Sequence, residues 1–126
     1  MKISFETLTF GFNGQLKSEN PYKGREFDES ELYKAFGYTL KKLREHKKLS
    51  LKALGEKIDM PPQTINRYEN GTNIPTIIQA LKIADFFNLS IELFILMGLI
   101  ALEENADFLP LYDKLDEAMQ KVKPQK

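Results

Sequence analysis

Residues 61–71 read PPQTINRYENG. Two prolines open the stretch, an Asn-Gly closes it, and Gln63, Thr64, Asn66 and Arg67 lie between them with Ile65 and Tyr68 as the only apolar residues. Amide, hydroxyl and guanidinium groups donate and accept hydrogen bonds but make poor nucleophiles, so the chemistry on offer here is recognition. The rest of the chain offers little else. His46 is the only histidine and cysteine is absent, which leaves no thiolate or multi-histidine metal site. No nucleophile–base pair and no phosphate-cradling glycine loop is visible, so an enzyme is not expected, nor a cofactor or a metal.

The prolines suit a first helical turn, where a missing N–H costs little, and Gly71 is placed to end the helix. A helix over 62–70 is therefore expected. Just before it, Ser50 can cap a short helix over Leu51–Ile58, with Ala53, Leu54 and Ile58 turned inward. Two short helices a few residues apart have the spacing of a helix-turn-helix, whose second helix lies in the major groove of duplex DNA. Gly55 then faces the second helix where a larger side chain would push the pair apart. Met60, Ile65 and Tyr68 fill the angle between them, and the Tyr68 hydroxyl is left to reach solvent or a phosphate.

Around this pair the pattern is helical. Asp28 or Ser30 can cap a helix running to about Lys47, with Leu32, Phe36, Leu40 and Leu43 on one face. Pro75 and Thr76 start another through Phe87, with a buried stripe expected at Ile77, Leu81, Ala84 and Phe87 and Ile78 at its margin. Ser90 caps a fifth, from Ile91 to about Glu104, and Asp107 a last one to about Val122. The first twelve residues alternate apolar and polar, Asn13-Gly14 is a hairpin-turn dipeptide, Gln15–Ser18 suits a short return strand and Glu19–Glu26 a loop. The expected organisation is a β-hairpin arm over 1–27, a helical domain over 28–104 and a C-terminal helix over 105–126.

At 126 residues, 42% apolar and 29% charged, the chain has the composition of one compact globular domain. Its longest apolar run, Leu93–Leu102, is about half of what a bilayer span needs, and no signal peptide is evident. A cytoplasmic protein without membrane contact is expected. The zero net charge conceals a division. Residues 33–75 hold nine basic and four acidic side chains, net +5, against −2 before them and −3 after. The middle third would be drawn to a polyanion. A set of merely solvated lysines would give the same count.

From "FGYTLKKLREHKKLS" through "LKALGEKIDMPPQTINRYENGTNIP" to "TIIQALKIADFFNLSIELF", about residues 36–95, the chain resembles the Xre/Cro-type helix-turn-helix proteins, which include lambdoid phage repressors. The ENG at 69–71 followed by Pro75 is the most specific fragment. The resemblance implies a mainly α, five-helix lambda-repressor-like domain, here with the hairpin arm and extra C-terminal helices. It implies sequence-specific binding of double-stranded DNA with 62–70 as the recognition helix. Gln63 and Asn66 would then pair with adenine, Thr64 would share their face, and Arg67 would reach guanine or a phosphate. Asn70, Thr72, Asn73 and Lys52 would touch the DNA backbone together with the amide end of the Leu51–Ile58 helix. Asn70 and Gly71 can equally serve only to end the helix. Arg44 and Glu69 match an internal salt bridge of such repressors.

Three departures thin this contact set. Leu51 stands where family members usually carry a phosphate-bracing glutamine, Asp59 replaces the usual turn glycine, and Pro62 occupies a common base-reading position. They keep a protein-binding role open, such as an antitoxin-like or inhibitor-like adaptor gripping a partner protein. The C-terminal third also carries more apolar residues than so small a domain needs. Phe94, Met97 and Ile100, then Phe108, Tyr112, Leu115 and Met119 at intervals of four and three, suggest a twofold dimer interface. The alternative is a larger monomer core with the last helix folded back.

Overall fold

The computed structural model describes residues 2–4 and 26–122. Six helices follow a short strand pair: β1 (Lys2–Ser4), β2 (Glu26–Asp28), α1 (Glu29–His46), α2 (Leu51–Ile58), α3 (Pro62–Glu69), α4 (Ile77–Phe86), α5 (Ile91–Glu104) and α6 (Leu109–Val122).

Side-chain caps set most helix starts. Asp28, Ser50 and Ser90 accept from the backbone N–H groups of Glu31, Ala53 and Leu93, each three residues on. Thr76 and Gln79 form a reciprocal capping box at the start of α4. The Pro61–Pro62 pair starts α3 with no side-chain cap, since proline at the first position removes one of the N–H groups a cap would serve. Asp59 ends α2 in the left-handed region, at φ 54°, which its short polar side chain tolerates better than most. The turn between α2 and α3 thus works without glycine.

Helix α5 is the spine of the fold and packs across α1. Thr39 of α1, fully buried, donates to the Phe94 carbonyl at 2.8 Å as well as to its own Ala35 carbonyl at 3.1 Å. Phe36, Leu40, Leu43, Leu54, Ile65, Phe87 and Phe94 share one core. A second, smaller cluster joins Phe27, Leu32, Ala35, Leu96 and Leu99.

Three expectations are corrected. The first strand pairs with Glu26–Asp28, antiparallel with Ile3 opposite Phe27, where a loop and a helix start were expected. Phe27 is buried, and that burial holds the segment against α1 and α5. The Asn13-Gly14 turn and the return strand at Gln15–Ser18 lie outside the described residues. Helix α4 is rotated from its expected phase. Ala80, Ile83, Ala84 and Phe87 point inward, whereas Ile77, Ile78 and Leu81 face outward. Finally, α6 folds back on the domain. Tyr112 is buried and donates to the Phe87 carbonyl at 3.1 Å, and Asp116 accepts from Asn88 at 2.7 Å and lies 3.5 Å from Lys47 Nζ. His46 Nε2 sits 2.7 Å from Asp113 Oδ1, a partner that the sequence did not suggest.

Phe94, Met97, Phe108 and Tyr112 are therefore buried in the chain's own core. A contact between copies through them would require α6 to leave the domain. Ile100, Leu115 and Met119 are half-buried and keep part of their surface. The periodicity of the last helix reflects intramolecular packing.

Candidate nucleic-acid interface

Helix α3 is held from three sides. Beneath it, Ile65 and Tyr68 are buried and Met60 fills the turn. Gly55 brings α2 so near the turn that a Cβ there would collide with the Met60 carbonyl oxygen. At its C-terminal end, Glu69 turns inward and takes Arg44 in a fork, with Arg44 Nε to Oε2 at 2.6 Å and Nη2 to Oε1 at 3.0 Å. Arg44 Nη1 also donates to the Leu49 carbonyl at 2.8 Å, so one guanidinium joins α1, the loop before α2 and α3. The bonded carboxylate raises the Arg44 pKa above its ordinary value against the opposing effect of burial.

The third hold was missed in the sequence. The Tyr68 hydroxyl donates to Gln79 Oε1, so it reaches neither solvent nor a phosphate freely. The same oxygen accepts from Thr76 N–H at 3.4 Å. Helix α3 is thereby bonded to the capping box of α4, and burial raises the Tyr68 pKa. Glutamine three residues after a threonine signals a capping box, but a third partner arriving from another helix leaves no trace in local sequence.

With Ile65, Tyr68 and Glu69 committed inward, the 3.6-residue period turns the intervening side chains outward. Gln63, Asn66 and Arg67 are exposed and Thr64 is half-buried beside them. Nothing among the described residues covers this face. Asn70 Nδ2 lies 3.4 Å from Asn66 Oδ1, a long and weak bond that competes little with an external partner. The segment after the helix is tied to one acceptor: the Arg67 carbonyl receives Thr72 N–H at 2.9 Å, Asn73 N–H at 3.4 Å and the Thr72 hydroxyl at 3.2 Å. Thr72 therefore spends its hydroxyl proton on the loop. Gly71, at φ 73°, makes this reversal possible.

The expected backbone-contacting residues fall on both flanks. Lys52 is exposed in the first turn of α2, and Asn70, Thr72 and Asn73 are exposed beyond α3. Two further cations join them. Lys34 and Lys41 of α1 line a surface cleft of about 220 Å³ with Tyr38, Asn70 and Gly71, placing positive charge at the C-terminal end of the outward face. In sequence these lysines were only part of a charge count, because nothing local places α1 beside Asn70. No group of acidic, histidine or cysteine side chains suited to a metal ion occurs among the described residues. No single helix there is long and apolar enough to cross a membrane.

A solvent-facing polar helix, locked to two neighbours and flanked by lysines, is the arrangement of a helix-turn-helix reading head. Residues 40–94 match the helix-turn-helix family model, of the Xre and lambda-repressor type, and that segment runs from the middle of α1 into α5. This class of domain is the DNA-binding part of transcription regulators and is generally non-enzymatic. No curated protein matches the chain.

Proposed function

We propose that the protein is a transcriptional regulator of the repressor kind, which binds a specific double-stranded DNA site as a cytoplasmic homodimer and excludes polymerase from it. The carrying observation is the outward face of α3: Gln63, Asn66 and Arg67 stand exposed on a helix whose inward residues are pinned to α1 and α4. Seated in a major groove, Gln63 and Asn66 match the N6/N7 edge of adenine and Arg67 the O6/N7 edge of guanine. Lys52, Asn70, Asn73, Lys34 and Lys41 hold register on the phosphates. Thr64 adds a shorter polar contact within the same face, and Thr72 shapes the loop. Leu51 gives no phosphate brace, so affinity rests more on the lysines and depends strongly on salt. One such domain covers few base pairs, and a pair reading two half-sites about one helical turn apart gains specificity from both.

The test is selection of bound sequences from a random duplex library, with binding of the selected site followed across a salt series. A palindromic site whose affinity falls steeply with salt is the expected result. Absence of duplex binding even at low salt overturns the reading in favour of a protein-binding adaptor.

A further inference from the structure

Four large aliphatic side chains stand in water within eight residues: Ile74, Ile77, Ile78 and Leu81, at 57, 76, 64 and 49% exposure. The outward side of a surface helix is ordinarily polar. Here the outward side of α4 is aliphatic for its first two turns, and charge resumes only with Lys82 and Asp85. We propose that this ridge, with the groove beside it, is the surface through which two copies of the chain pair about a twofold axis. The proposal rests on the homodimer reading above and locates its interface away from the C-terminal residues buried in the core.

Three observations favour a second copy as the occupant. The first is shape. A groove of about 210 Å³ adjoins the ridge, and Pro75 and Ala80, which bracket Ile77 and Ile78 in the chain, line it together with Leu32, Phe36, Ile91 and Ile95. An isologous contact needs one surface to offer both a projection and a recess, and this one does. The second is charge. Glu29 also lines the groove and Lys82 follows the ridge; both are exposed, and neither is in an ion pair among the described residues. A twofold axis that seats Ile77 in the partner's groove brings each Lys82 towards the partner's Glu29. The third is area. The ridge presents roughly 400 Å² of apolar surface, the size at which a patch on a monomer has a use. Two ridges with their grooves come to about 1,000 Å², the lower bound of a specific interface.

The location also suits the function. The ridge starts five residues after α3 ends, and α4 is bonded to α3 through Gln79 and Tyr68. Pairing there would fix the separation of two recognition helices through stiff elements, without relying on a tail.

The test uses the full chain in sedimentation equilibrium over micromolar concentrations, without DNA and with the selected duplex. Wild type is expected to dimerise. Ile77→Asp combined with Leu81→Asp is expected to raise the dissociation constant about 30-fold or more, the size of a hot-spot loss. Helix content should not change, because both side chains are exposed, and Tm should fall only by the stabilisation that the dimer supplies, a difference that disappears on dilution below the wild-type dissociation constant. Lys82→Glu and Glu29→Lys should each weaken self-association, and an equimolar mixture of the two should restore a dimer. A variant that stays dimeric without Ile77 and Leu81 overturns this surface while leaving the homodimer reading intact. A mixture that fails to re-associate overturns the register. A wild-type chain that is monomeric in both conditions overturns the interface and the homodimer reading together, whereas DNA binding by the same chain is scored separately.

Discussion

Arg44 and Glu69 form a two-pronged ion pair at 2.6 and 3.0 Å, with side chains only 12% and 2% exposed. It ties the first helix to the last residue of α3. A carboxylate this deeply buried is tolerated because its oxygens are occupied, and losing the guanidinium would strand it. Arg44→Ala is expected to cost about 3–5 kcal/mol in urea unfolding at neutral pH. The paired change Arg44→Met with Glu69→Leu should recover most of that loss, because apolar residues of similar volume carry no desolvation penalty. Equal losses in the single and paired variants would show that shape, rather than charge, holds the two helices.

Tyr68→Phe isolates the third hold. It removes the donor to Gln79 and leaves the ring in the core, so a loss of about 0.5–1.5 kcal/mol is expected. The Arg44 pair should be unaffected. Amide exchange should quicken at the start of α4, where Gln79 is left with only the Thr76 backbone as a donor from the chain. A wild-type exchange pattern would mean that the capping box alone sets α4.

These two bonds show why part of the design was legible in sequence and part was not. Pro62, Gly55 and the exposed Gln63, Asn66 and Arg67 act within a few residues of one another, so their spacing reports their roles. Arg44 and Glu69 are 25 positions apart and were recognisable only through a family pattern. Gln79 had neither advantage. Without it the phase of α4 is ambiguous: Ala84 and Phe87 belong to a helical stripe completed either by Ile77 and Leu81 or by Ala80 and Ile83, and greater hydrophobicity favours the wrong pair. The Tyr68 bond and the closeness permitted by two alanines select the other. For the same reason, the stripe through Phe108, Tyr112 and Leu115 identified a shared face but not what covers it. The burial of Phe108 and Tyr112 in the domain's own core, with the Tyr112 bond to the Phe87 carbonyl, shows that α6 folds back.

Tyr112 makes the docking of α6 sensitive to alkali. Its ring is buried, and burial first, then the carboxylates of Asp116 and Asp113, push its phenol pKa well above the ordinary 10.0. The folded form therefore holds the proton more tightly than the unfolded chain does. Its stabilising contribution is complete below pH 10 and declines as pH rises past that value, where only the unfolded form ionises readily. Tyr112→Phe should be less stable at neutral pH by about 0.5–1.5 kcal/mol through the lost bond to Phe87, yet should show a shallower decline above pH 10. Parallel stability curves for the two proteins between pH 9 and 11 would contradict this account.

On the outward face, Gln63→Ala with Arg67→Ala would remove the two forked contacts proposed above, worth about 1–3 kcal/mol of base discrimination each. Binding of the selected duplex should fall to the level of random duplex in a competition assay. Helix content should stay the same, because both side chains are exposed. Lys34→Ala with Lys41→Ala should act differently, weakening selected and random duplexes alike and lowering the salt slope by about two. If the lysine variant loses site preference while the Gln63/Arg67 variant keeps it, the reading surface has been placed on the wrong side of Asn70.

Leu51 offers a test by gain. It occupies the first position of α2 after the Ser50 cap, half-buried against the core, where the resembling family carries a glutamine that braces a phosphate. In this chain the brace is missing while the helix that would aim it is intact. Leu51→Gln should therefore tighten binding of the selected duplex by about three- to tenfold at fixed salt, the worth of one added hydrogen bond. Random duplex should gain similarly, because a phosphate contact carries no sequence information. The partial burial of Leu51 implies an opposing loss of stability, to be measured alongside by urea unfolding. Tighter binding despite lower stability would fix the amide end of α2 at the DNA backbone. Unchanged affinity would turn that end away from the duplex and require a docking angle at which Lys52 and α2 stand clear of the phosphates.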